Sequence, residues 1–286
     1  MPEFWNAVLT QPLARNAVLA ALLLSVACGT VGTYVVVRRI TYIAAGVAHC
    51  VLGGMGAARY LQVALGWGWL HPIYGALVAA LAAAGIIGWV SLNSREREDS
   101  AISAVWSVGM ALGVIFIYLT LGYASDLMGY LFGNILLVTG SHLYILLALD
   151  VVIMVIVARW YDEFEAVCFD EEYARTRNIN VNRIYILLLA LTALTVVALS
   201  MIVGIVLVIA LLTLPAALAG RFAGSLAQMM ALAAVLCALF CLLGLGISYG
   251  PDLPAGPVII VVAGACYFLA SLLFALARYF RSGGRA

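Results

Sequence analysis

Residues 184–220 run for 37 positions without a charged side chain. A single helix of that length, at 1.5 Å rise per residue, would measure about 55 Å, nearly twice the ~30 Å hydrocarbon core of a bilayer. In lipid every backbone N–H and C=O must be bonded within a helix or a closed barrel, so the run cannot simply unravel to shorten itself. It predicts two crossings joined by a tight turn near residues 201–204.

The rest of the chain repeats this constraint. Of 286 residues 66% are hydrophobic and 9% charged, with a mean hydropathy of +1.15, which is too little polar surface for a domain dispersed in water. Cutting the apolar stretches at charges, glycines and prolines predicts spans at 16–37, 40–65, 72–92, 101–121, 143–158, 184–200, 202–219, 226–247 and 256–277. The first of these is long for a signal-peptide core and reads as a retained span. Residues 127–139 are too few to cross and predict a re-entrant or interfacial helix. The expectation is an all-α membrane protein, one transmembrane domain over residues 1–286, with about nine spans, or eight if 184–220 crosses once.

Arginine placement decides between those counts. All fourteen basic residues are arginine, and loops rich in Arg stay on the cytoplasmic side during insertion. Nine spans place twelve of them on one face and leave only Arg15 and Arg59 towards the other. Eight would move Arg221 and the C-terminal arginines outside. The expected chain therefore sits in the cell (inner, cytoplasmic) membrane with its N-terminus outside and its C-terminus cytoplasmic. The longest cytoplasmic stretch, 159–183, alternates six carboxylates with arginines and predicts an amphipathic surface segment.

Several chemistries are excluded. With no lysine the chain lacks a phosphate-binding loop of the G-x-x-x-x-G-K-[ST] kind, so it cannot be a classical ATPase itself. The six cysteines contain no C-x-x-C pair, and neither H-E-x-x-H nor G-x-S-x-G occurs, so zinc-knuckle and hydrolase chemistry have no motif. A net charge of +1 gives no footprint for nucleic acid. No catalytic residue and no bound cofactor are expected.

What remains is a short set of polar residues at membrane depth. His49 lies in the second span with Cys50 beside it and Met55 further along, the side chains that would line a metal pathway for a soft or borderline ion. A neutral imidazole can equally serve as a hydrogen-bonding group between helices. Asp150 and Arg59 are also within apolar runs, where they would pair or snorkel. Asp126, His142 and Asp252, with His71, fall in the short outward loops as candidates to guide a cation or meet an external partner. Pro215, Arg221 and Gly224 predict a helix break and a turn along the cytoplasmic face.

Seven segments taken in order carry a resemblance: VVRRITY (36–42), AHCVLGG (48–54), EDSAI (98–102), DLMGYLFGN (126–134), FDEEYA (169–174), GIVLVIALLTLPAA (204–217) and DLPAGP (252–257). The chain resembles the permease subunits of zinc and manganese ABC importers, a branch of the type II ABC importer fold, over nearly its whole length. The resemblance implies two permeases, identical or related, around a central path, with a divalent metal ion as substrate and iron as a further candidate. It implies an ATP-binding cassette subunit docked inside and an extracytoplasmic metal-binding protein outside. By position it makes 215–226 a short helix coupling to the ATPase, and it matches His49 to the family's intramembrane metal ligand. One departure matters: the family often has an aspartate four residues before that histidine, and here the position is Ala45. The alternative function is an ion-coupled secondary transporter of a small cation or metal complex, for which only Asp150 offers a midplane carboxylate.

Overall fold

The computed structural model describes residues 2–93, 98–120, 127–133, 135–251 and 253–282. Thirteen α-helices follow one another: α1 (Pro2–Thr10), α2 (Pro12–Val37), α3 (Thr41–Ala64), α4 (Pro72–Asn93), α5 (Glu98–Leu119), α6 (Leu127–Phe132), α7 (Gly140–Arg159), α8 (Tyr161–Phe169), α9 (Glu171–Thr176), α10 (Val181–Val203), α11 (Ile205–Ala219), α12 (Leu226–Tyr249) and α13 (Ala255–Ser282). A 3-10 turn at Ile135–Leu137 precedes α7. Eight of these helices, α2, α3, α4, α5, α7, α10, α12 and α13, are long and apolar enough to cross a bilayer.

The ninth apolar helix, α11, has 15 residues, about 22 Å at 1.5 Å each and short of a ~30 Å core. Its position explains why it can be short. It packs among α2, α10, α12 and α13 and so needs no lipid-facing end at either interface. The break before it falls at Gly204, inside the turn expected from sequence. There φ is +82°, a conformation in which glycine alone carries no Cβ penalty.

That corner is locked to a second one. Gly133, which ends α6 at φ +61°, abuts Gly204 so closely that a Cβ on either would strike the other's backbone. A Cβ on Gly256, at the start of α13, would likewise strike the Phe132 carbonyl. Three chain segments therefore meet backbone to backbone at one end of the bundle.

Contacts at the helix ends sort the loops into two faces. Arg38, just past α2, pairs with Glu171 of α9 and lies 5.5 Å over the Tyr185 ring near the start of α10. Arg221 donates to Ser271 Oγ (2.7 Å), so the turn after α11 sits beside the C-terminal half of α13. At the opposite end, Phe4 of α1 meets Tyr249 at the end of α12, with ring centroids 5.8 Å apart.

The segment expected to be amphipathic forms α8 and α9. Phe164 tucks under Tyr34 of α2 (5.1 Å), and Val167, Cys168 and Ala174 are buried with it. Burial pushes the Cys168 thiol up to about 12 despite the nearby Arg38 charge. Phe169 and Tyr173 stand exposed on the other side. The carboxylate of Asp170 accepts the Tyr173 N–H (3.0 Å) and caps α9.

Candidate functional site

The rotation of α3 is set by its small residues. A Cβ on Gly53 would come within 2.6 Å of the Gly109 carbonyl oxygen, and one on Gly56 within 2.9 Å of that of Gly113, so α3 rests directly on the backbone of α5. On another side Gly54 of α3 and Gly75 of α4 meet so tightly that a Cβ on either would hit the other's carbonyl. In lipid such close approach replaces the hydrophobic driving force available in water. A helix clamped on two sides cannot turn, and the side chains between the clamps are held in fixed directions.

His49 is one of them. Its ring stacks on Trp106 of α5, with centroids 4.5 Å apart and planes 10° from parallel. It is half-buried, and its Nδ1 is enclosed with no hydrogen-bond partner. Two turns earlier, Tyr42 shares a hydrogen with Ser103 Oγ (2.7 Å) and leans on the same tryptophan at 5.7 Å. Ala45, one turn before His49, is buried and offers no donor atom.

Cys50 and Met55 do not join His49. At about 100° per residue, Cys50 points a quarter-turn away and Met55 about 120° in the opposite sense. Accordingly the Cys50 thiol donates to the Val105 carbonyl (3.2 Å), and Met55 lies in the core at 2% exposure. Among the described residues no group of three His, Cys, Asp or Glu side chains is placed to hold a metal ion. This chain contributes a single imidazole, framed by aromatic rings. Trp106 and Ser103 were not singled out from the sequence; their place beside α3 is set by the glycine contacts between α3 and α5.

The other candidates scatter. Asp150 of α7 is 6% exposed and faces the Ala27 backbone of α2, with no side-chain partner for its carboxylate. It lies one turn before Met154, whose sulfur meets Thr30 of α2. It does not pair with Arg59, which donates to Gln62 (2.6 Å) on α3. His142 sits in the first turn of α7, its Nδ1 accepting the Thr139 N–H at 3.4 Å. Asp126 and Asp252 lie outside the described residues.

No separate helix forms over 215–226. Instead α11 continues through Pro215, which is buried, and stops at Ala219. The Thr213 hydroxyl, bonded to the Ile209 carbonyl (2.8 Å), steadies the turn around the proline. A short turn follows before Ser225 caps α12. Within it Arg221 lies 5.4 and 5.5 Å over the rings of Tyr267 and Phe274, and the Gly224 N–H donates to Gln228 (3.1 Å). These residues are occupied with α12 and α13.

A bundle of this kind, with its polar features set between clamped spans, is the architecture of a membrane transport subunit. The family model for the ABC 3 transport family matches residues 10–275, and the chain belongs to that family. It is a transport subunit and not an enzyme. A probable metal transport system membrane protein of Chlamydia trachomatis is 41% identical over 262 residues, 92% of this chain and 89% of that one. The manganese transport system membrane protein MntC of Halalkalibacterium halodurans is 32% identical over 277 residues, 97% and 90% of the two chains. Among solved structures, PsaBC from Streptococcus pneumoniae in complex with Fab superposes with a TM-score of 0.83 at 30% identity, over 94% of each chain.

Proposed function

We propose that this chain is the permease subunit of an ATP-driven importer of divalent metal ions, manganese or zinc, and that His49 is the residue that meets the ion at membrane depth. The observation that carries the site is the enclosed, unpartnered ring nitrogen of His49. A buried polar atom left unsatisfied costs about 1–3 kcal/mol, which a passing cation relieves once the helices around it shift. Stacking on Trp106 holds the ring plane fixed, so the imidazole is oriented before the ion arrives.

One imidazole is too small a ligand set, so a second permease copy completes the path. It is placed against α5 and α13, the least buried spans, where 17% and 11% of the most apolar window is covered within the chain. With Ala45 in place of a carboxylate, the site has lost an oxygen donor that favours a hard ion. Ala45→Asp restores it and shifts preference towards manganese over zinc.

The ATPase subunit docks on α8 and α9 on the cytoplasmic face, in place of the turn at 215–226. This pair is amphipathic, exposes Phe169 and Tyr173, and is tied to α2 through Arg38 and Glu171. The C-terminus lies on the same face, and the metal-binding protein approaches the opposite one. The test is uptake of manganese, zinc and iron into vesicles holding the permease with and without its ATPase. Uptake is expected only with ATP and the ATPase, and His49→Ala is expected to lower it at least tenfold with assembly intact. Unchanged uptake in that variant removes His49 from the path.

A further inference from the structure

Far from His49, an apolar cleft of about 370 Å³ opens between α4, α7 and α10 at the end of the bundle opposite the arginines. Its volume falls within the ~300–1,000 Å³ of small-molecule pockets. Leu77, Leu149, Val197 and Ile202 are among the side chains of its wall, and His71 and His142 are its ionisable lining residues.

The two histidines stand at the depth of lipid headgroups. Tyr74, three residues after His71, is 53% exposed, and Tyr144, two after His142, is 76% exposed, as in the aromatic belts of membrane proteins. Below that level the cleft is apolar, at the depth of acyl chains. Polar rim and apolar trough thus follow the profile of a lipid molecule.

Tautomer and charge choose the headgroup. The Ile73 N–H donates to His71 Nδ1 and the Thr139 N–H to His142 Nδ1, each at 3.4 Å. A ring nitrogen that accepts is unprotonated, so in the neutral ring the proton sits on Nε2 and both imidazoles present a donor. Donors suit a phosphate oxygen and repel a bare cation. Among the described residues no carboxylate lines the cleft, and the N-terminal ends of α4 and α7, with their positive partial charge, lie beside it.

We propose that this cleft binds one glycerophospholipid, its phosphate held by His71 and His142 and an acyl chain lying along the trough over α10. The proposal rests on the transmembrane reading of the helices and not on the metal path. Lipid retention is measured apart from uptake, so failure of one does not mimic failure of the other.

The experiment is native mass spectrometry of the permease purified with its ATPase subunit, delipidated in detergent and titrated with phosphatidylglycerol or with a diacylglycerol of the same chains. One phospholipid per permease chain is expected to persist, with the diacylglycerol held at least tenfold more weakly. His71→Ala, in an exposed turn, is expected to weaken phospholipid retention about fivefold, and Ala198→Phe, which fills the trough, to abolish it. Should Ala198→Phe fail to assemble, the His71→Ala result decides alone. Wild-type retention in His71→Ala overturns the proposal, as does diacylglycerol binding as tightly as phospholipid. Zinc chloride binding that His71→Ala removes while phospholipid retention stays unchanged would assign the histidines to a cation instead.

Discussion

Helices α2 and α3 are buried to the same degree, 72% of their most apolar windows, yet they carry different polar groups at that depth. Both are sunk among neighbours by glycines: Gly29 of α2 would bring a Cβ within 2.5 Å of the Ala234 nitrogen, much as Gly53 of α3 meets α5. At membrane depth α2 folds two of its hydroxyls back on itself, Ser25 donating to the Leu22 carbonyl (2.6 Å) and Thr33 to that of Gly29 (2.7 Å), while Thr30 reaches Met154 of α7 and the buried Tyr34 hydroxyl has no partner. In α3 the thiol of Cys50 reaches across to α5 and the imidazole of His49 leaves a nitrogen without a partner. Burial therefore does not separate scaffold from path, and neither does an unmet polar atom alone. What sets His49 apart is an unmet ring nitrogen on a helix clamped between glycine contacts, its ring plane fixed by Trp106.

The shared part of that comparison has the largest expected effect when broken. Gly32→Val in α2 drives a side chain into the Leu212 carbonyl, and Gly54→Val in α3 drives one into that of Gly75. Backbone cannot retreat as a side chain does, so each is expected to exceed the ~1–3 kcal/mol of ordinary overpacking. The readout is loss of monodisperse permease on gel filtration. If Gly54→Val assembled normally, the clamp that orients His49 would be disproved.

The contrasting part comes next. His49→Ala is expected to reduce metal uptake at least tenfold, about 1.4 kcal/mol, without moving the thermal midpoint, while Thr33→Ala leaves uptake unchanged and costs at most about 1 kcal/mol of stability. Equal uptake losses in the two variants would erase the distinction between the helices. Asp150 of α7, which faces the Ala27 backbone of α2, sharpens it from that side, being a buried carboxyl with no side-chain partner. Asp150→Leu removes a desolvation penalty and is expected to stabilise by about 1–2 kcal/mol, seen as a raised midpoint with uptake kept. Lost uptake would make Asp150 part of the path. The smallest effect is expected for Glu171→Gln, which leaves Arg38 without its carboxylate at a site open enough for solvent to screen the pair. Stability should change by under about 1 kcal/mol, while co-purification of the ATPase drops several-fold.

Most of the fold was legible because lipid allows few backbone solutions. Charges, glycines and prolines marked nearly every helix end, and the length of run 184–220 forced the corner found at Gly204. The region around Pro215 was misread for a local reason. Proline ends helices when its missing N–H and its ring meet solvent or strain, but inside a packed bundle the turn is held by neighbours and by Thr213. Residues 159–183 carried the clearer signal for an amphipathic element, since hydrophobic and charged positions alternate there, and α8 and α9 form within them. His49 stood out as an ionisable residue at depth. That Cys50 and Met55 diverge from it follows from 100° per residue, but the choice of Trp106 and Tyr42 as its companions depends on how α5 is phased against α3, which glycine contacts set and a linear string does not display.

The glycine junction where α6, the α10–α11 corner and the start of α13 touch has a consequence for how such a subunit can work. Segments joined without intervening side chains have no slack, so none of them can swing as a separate flap. Exposure of the interior to one side and then the other must come from tilting whole groups of helices about that knuckle, between two discrete packings. The speed of a cycle would then be set by a rocking of rods and not by the flicker of a gate.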